Sequence, residues 1–134
     1  MFHPKIAEVV RRDPRYAYEA YEFLFAALAH TQQKLGRAPR EPEEEPGAAN
    51  HVSGRELCLG IRDFALEQFG LMARVVFQRW GVNRTADVGE LVFNLIEANM
   101  LSKTPEDSRE DFRDVFDLDE ALVREFRFRL READ

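Results

Sequence analysis

The chain has one cysteine, Cys58, which excludes an intramolecular disulfide. Its three histidines, His3, His30 and His51, have no second histidine or cysteine at ligand spacing beside them, so the sequence offers no metal-ligand set. No glycine-rich phosphate loop and no serine nucleophile elbow occurs, and no cofactor is implied. Charged residues interrupt every apolar stretch short of the roughly 18 residues that a spanning helix needs, so no membrane insertion is expected. The segment Met1-Phe2-His3-Pro4-Lys5 lacks the apolar run of a signal peptide, and a cytoplasmic location is expected. Positive charge is in short supply. With 19 Lys and Arg against 25 Asp and Glu the net charge is −6, so binding to nucleic acid or anionic lipid would need a local basic patch.

What is present is apolar and aromatic. Of 134 residues, 45% are apolar, and 11 Phe, 3 Tyr and 1 Trp supply enough buriable area for one ordered domain with a real core. Residues 1–36 read as N-terminal helices packing on that core. Asp13-Pro14 supplies a cap and a proline for a helix over Arg15 to Leu35, whose apolar face is widened beyond one stripe by Phe23, Phe25, Ala27 and Ala29. Such a helix is buried on two sides or meets a partner, and a homodimer is one way to cover it. Residues 37–52, with three prolines, a run of acids and no large apolar side chain before His51, cannot offset their ordering entropy and read as a linker.

Residues 53–134 read as the core proper. Ser53-Gly54-Arg55-Glu56 is a capping box, followed by Leu57, Ile61, Phe64, Ala65 and Phe69 at helical spacing. Gly70 breaks that helix, Leu71 to Trp80 predicts a shorter one ended by Gly81, and Asp87 opens a third that runs to about Asn99. Met100 to Lys103 and Phe112 to Phe116 alternate in part around a polar stretch and predict two short strands; a further helical turn capped at Thr104 is the competing reading. Asp117-Leu118-Asp119-Glu120 caps a last helix. The expected fold is therefore mainly α, with five or six helices, a small two-stranded wing and a degenerate winged helix-turn-helix core.

That architecture would normally suggest DNA, but the chemistry argues otherwise. The third core helix would present Ala86, Asp87, Glu90, Phe93, Asn94 and Glu97 outward; three of the six are acids, and only Asn94 suits a base edge. A scaffold for protein contacts fits better, with Phe93 and Asn94 as candidates. The loop Ser108, Arg109, Glu110, Asp111 and Phe112 is the second candidate, because function concentrates in polar loops, although Arg109 could serve only to neutralise its neighbours. Basic residues cluster at Arg11, Arg12 and Arg15 near the start and at Arg124, Arg127, Arg129 and Arg131 at the end. The second cluster alternates in part with Phe126 and Phe128 and carries the alternative of nucleic-acid binding by charge and stacking. An enzyme assembled from Arg109, Asp111 and His30 or His51 rests on residue types alone. The eight acids from Glu106 to Glu120 lack the glycine and spacing of a calcium loop and read as solvated turn and helix caps. Cys58 reads as a buried thiol, and Gly60 and Gly89, costly inside helices, ask for close approach of another helix.

The segments His51-Val52-Ser53-Gly54-Arg55-Glu56-Leu57, Ala65-Leu66-Glu67-Gln68-Phe69-Gly70, Trp80-Gly81-Val82, Gly89 to Ala98 and Lys103 to Phe112 carry a resemblance. Together with the tyrosine-rich stretch Tyr16 to Tyr21, they resemble a family of uncharacterised small proteins restricted to Verrucomicrobia and Planctomycetes. The resemblance implies a bacterial, cytoplasmic protein and transfers no catalytic residue to any position. The expected function is a protein-interaction or adaptor module, with an unidentified protein partner rather than nucleic acid or membrane, and with the balance against enzymatic activity.

Overall fold

A computed structural model describes residues 2–37, 51–104 and 107–125. Helix α1 (Pro4–Arg12) begins on a proline, which lacks only an amide hydrogen that would have no helical partner there, and buries Ile6 and Val9. Helix α2 (Tyr18–Lys34) buries Ala20, Tyr21, Leu24, Ala27 and Thr31 at three- and four-residue spacing. It starts later than Asp13-Pro14 suggests because a tertiary contact outbids the local cap. The Ala17 amide donates to the Trp80 carbonyl (3.1 Å) and Tyr16 turns into the core. The second apolar flank of α2, with Phe23, Phe25 and Leu28, packs on the core of the same chain.

Helix α3 (Gly54–Phe69) forms the expected capping box, with the Glu56 amide donating to Ser53 Oγ (3.1 Å) and the Ser53 amide to Glu56 Oε1 (3.0 Å). It crosses α2 where Thr31 meets Gly60. A Cβ on Gly60 would lie 2.9 Å from Thr31 Cβ, so only glycine admits the contact. Thr31 Oγ1 itself is satisfied by donating to the Ala27 carbonyl (2.7 Å). After a 3-10 turn (Gly70–Met72), α4 (Ala73–Trp80) faces inward with Ala73 and Phe77 and ends at Gly81, whose φ of 88° suits a residue without a side chain. Helix α5 (Thr85–Glu97) buries Thr85, Val88, Leu91 and Leu95 and closes with Asn99 in the left-handed region, the Met100 amide donating to the Leu95 carbonyl (2.9 Å). One continuous core runs from Ile6 to Leu122.

The two-stranded wing, and with it the winged helix-turn-helix core, is not what the chain forms: no strand exists among the described residues. Alternation over five residues gives way to three local constraints. Arg109–Phe112 winds into a 3-10 turn, the Arg113 amide closes it onto the Glu110 carbonyl (3.1 Å), and Asp114 takes a left-handed φ of 49°. The Val115 amide then donates to the buried Thr85 hydroxyl (3.2 Å) instead of to a neighbouring strand. Behind all three is Phe112, whose ring sits in a notch where a Cβ on Gly54 or Gly89 would lie 2.9 Å away. Gly89 thus admits a turn rather than the helix expected of it. The chain continues into a π-helical turn (Glu120–Arg124) that buries Ala121 and Leu122. The greater part of the acidic linker, residues 38–50, lies outside the described residues.

Removing the Phe112 ring empties that notch. Phe112→Ala is expected to cost about 3 kcal/mol of unfolding free energy in urea titration, the range for a buried aromatic truncation.

Candidate functional site

The outward face of α5 is the centre of the sequence-predicted sites, and the structure occupies it with the chain's own side chains. Asp13, just after α1, accepts both Arg15 Nε (2.8 Å) and Arg15 Nη2 (2.7 Å). Asn94 Nδ2 donates to Asp13 Oδ2 (2.9 Å) and to the Tyr21 phenol oxygen (3.1 Å). Glu90 lies between two arginines, Arg15 and Arg109, each with a nitrogen 3.4 Å from a carboxylate oxygen. Arg109 places its guanidinium 4.7 Å from the centre of the Phe93 ring, and Phe93 meets Phe112 edge to face at 6.5 Å. Asp87 accepts the Tyr16 hydroxyl (2.7 Å) and the Asn83 amide (2.9 Å). Phe93, Asn94, Arg109 and Phe112 are therefore brought together, as a brace between the α1–α2 turn and α5.

The electrostatics follow the geometry. The Arg15 guanidinium beside Asp13 holds its carboxyl well below the usual carboxylate range, against a partial opposing effect of burial. Burial pushes the Tyr16 phenol up, reinforced by its bond to Asp87, and burial raises Tyr21 as well. Ser108 and Asp111 act locally, since Asp111 Oδ2 accepts the Ser108 amide (3.0 Å) and starts the 3-10 turn. Glu110 pairs with Arg113 at 3.3 Å on the exposed side.

The residues named for an enzyme do not converge. His51 Nε2 lies 3.0 Å from Asp107 Oδ1, His30 packs on Phe64 with Nε2 3.8 Å from Glu67, Arg109 takes Glu90, and Asp111 caps its own turn. Cys58 is fully buried, and burial pushes its thiol up to about 12. Among the described residues no three His, Cys, Asp or Glu side chains gather as a metal site, and no helix is long and apolar enough to cross a membrane.

The basic clusters are paired internally where they are described. Arg11 and Arg12 meet Glu8, Arg15 meets Asp13 and Glu90, and Arg124 Nη1 donates to Glu120 (3.1 Å). Arg127, Arg129 and Arg131 lie outside the described residues. A groove of about 260 Å³ runs between α1 and the end of α5, lined by Lys5, Glu8, Arg12, Asp13, Asn94 and Glu97. Within it Glu8 pairs with Arg12 at 3.5 Å, and Asp13 is engaged by Arg15 and Asn94.

Among the described residues, a different surface is both apolar and exposed. Leu71 and Met72, in the turn before α4, and Val75, on α4 four and three residues after them, are 45%, 57% and 43% exposed. Helical spacing by itself places Met72 and Val75 among the apolar positions of that helix. The signal that singles them out is that Leu71, Met72, Val75, Val76, Phe77 and Trp80 encircle a short helix. Once Ala73 and Phe77 face inward, the others cannot all be covered. Against known proteins, the chain matches no family model, no curated protein and no solved structure.

Two outcomes test the geometry. Because the folded Asp13 carboxyl titrates below its unfolded value of about 4, its stabilising effect is complete above that value and lost as pH falls through the folded one. Asp13→Asn is expected to lower stability at neutral pH and to flatten the loss below about pH 4, read from thermal melts across pH. Cys58 is expected to resist a water-soluble thiol reagent at pH 8 in the folded protein and to react fully in denaturant; reaction of the native protein at the denatured rate would contradict its burial.

Proposed function

We propose that the protein is a helical protein-interaction module whose contact surface is the Leu71, Met72 and Val75 patch. One observation carries the reading. Of the five large apolar side chains exposed among the described residues, Phe2, Leu35, Leu71, Met72 and Val75, three share a single turn. Apolar side chains scattered singly on a surface are ordinary, whereas a clustered set rimmed by polar groups marks a place of association. Gln78 and Arg79, which follow Val75 by three and four residues on α4, are polar and exposed beside it. The partner surface that fits is apolar, with a carboxylate to meet Arg79.

The side chains of the predicted site on α5 favour the same reading, because they are engaged within the chain and would need to break those contacts to bind anything. The patch needs no such rearrangement. Ala73 and Phe77 are buried on the opposite side of α4, and Arg74 Nε donates to Asp119 Oδ1 (2.8 Å) at its flank, so the surface is held in place before a partner arrives.

The test pairs binding with stability. A Met72→Glu, Val75→Glu variant is expected to keep its melting behaviour within about 0.5 kcal/mol, as exposed substitutions do, and to lose proteins that the wild type captures from cell extract after nuclease treatment. Retention of the same captured proteins by the variant would refute the proposed surface.

A further inference from the structure

We infer that the cavity between the start of α1 and the turn after α5 binds a small amphipathic anion, an apolar body ending in a carboxylate. The cavity has a volume of about 430 Å³ and is lined by His3, Lys5, Ile6, Phe25, Asn99 and Met100. That size falls within the range of small-molecule sites, which combine an apolar lining with a few convergent polar groups. The lining here divides in the same way. Ile6 belongs to the core and Phe25 and Met100 pack on it, so these three form the apolar side. His3, Lys5 and Asn99, all exposed, form the polar side.

The sign of the ligand follows from what the lining lacks. In a chain with 25 acids against 19 bases, none of these six residues is an acid. A lysine ammonium and an asparagine amide donate hydrogen bonds, and an imidazole can donate one. The side chains of Lys5 and Asn99 make no hydrogen bond or ion pair among the described residues, so their donors are available. Both residues also line the neighbouring groove, and the acids Glu8, Asp13 and Glu97 lie in that groove and not in this cavity. One lysine balances one negative charge, which favours a carboxylate over a doubly charged phosphate.

The backbone at both polar edges is fixed before a ligand arrives, which lowers the ordering cost of binding. On one edge the His3 amide donates to the Tyr18 hydroxyl, and Phe2 stacks on the Tyr18 ring at 5.7 Å. On the other, the Asn99 amide donates to the Ile96 carbonyl (3.0 Å) and the Met100 amide to the Leu95 carbonyl (2.9 Å). Lys5 itself is open to solvent, so its ion pair with a ligand is screened and the affinity is roughly millimolar.

Amide NMR shifts of the full chain, titrated with octanoate at neutral pH to about 20 mM, test this. Saturable shifts are expected at Lys5, Ile6, Asn99 and Met100. Hexanoate is expected to bind about tenfold more weakly, because it buries two fewer methylenes, and octylammonium, with the same body and the opposite charge, to leave these amides in place. Lys5→Glu should weaken octanoate about tenfold with thermal melting unchanged, and Lys5→Arg should keep the affinity. The site is independent of the α4 surface, so Met72→Glu, Val75→Glu is expected to bind octanoate as the wild type does.

Absence of shifts at these four amides, equal shifts with octylammonium, or an affinity unchanged in Lys5→Glu overturns the inference. So do shifts confined to residues 71–75, or octanoate binding lost in the Met72→Glu, Val75→Glu variant, since either result would place the probe on the exposed apolar patch.

Discussion

Phe23 is the contact on which the arrangement of helices depends. Its ring, carried by α2, lies 5.3 to 5.6 Å from the rings of Phe64 and Phe69 on α3 and of Phe77 and Trp80 on α4. Five aromatic side chains from three helices thus share one cluster, in which each pair contributes about 0.5–1.5 kcal/mol beyond the area it buries. The cluster can form only because α2 and α3 come close enough, and the Thr31 to Gly60 contact permits that. It also fixes the rotation of α4. With Phe77 committed inward and Trp80 half-buried against it, Leu71, Met72 and Val75 are carried to the opposite side, into solvent. The exposed patch is thus a consequence of how the core is packed.

The orientation of α4 propagates further along the chain. Its last carbonyl, on Trp80, accepts the Ala17 amide, and its terminal Gly81 lies against the Arg15 carbonyl. These contacts hold the α1–α2 turn beside α5, where Tyr16 reaches Asp87 and Asp13 reaches Asn94. Asp13, Arg15, Glu90 and Arg109 then alternate in sign along the face of α5. In a chain of net charge −6 such alternation lets charged groups sit side by side without accumulating one sign. The same engagement is why α5 presents so little to an outside ligand: its polar groups are already partners of the chain that folds over them.

Local signals were legible in the sequence wherever a residue's neighbours in the chain decide its conformation. The capping box at Ser53, the break at Gly70, the left-handed end at Gly81 and the burial of Cys58 follow from short-range chemistry and apolar spacing. The stretch from Met100 to Phe116 was not legible, because its pattern is too short to distinguish a strand from a turn. What decides it is the seating of Phe112 between Gly54 and Gly89, residues 58 and 23 positions away in the chain. The glycines themselves were readable as sites of close approach, but not the identity of what approaches.

The candidate surfaces divide along the same line. Periodicity placed Phe93 and Asn94 outward on their helix, and only the folded chain reveals that Arg109, Asp13 and Tyr21 come to meet them. Met72 and Val75 read as apolar positions on a helix that is apolar on most sides, and such a helix has no preferred inner face of its own. By itself the sequence determined that the chain is mainly helical, where most of its helices stop, and that their apolar faces must be buried, since caps, glycines and spacing act within a turn or two. The tertiary structure alone decided which face of α4 remains outside and which charges pair across α5, because both depend on contacts between residues far apart in the chain.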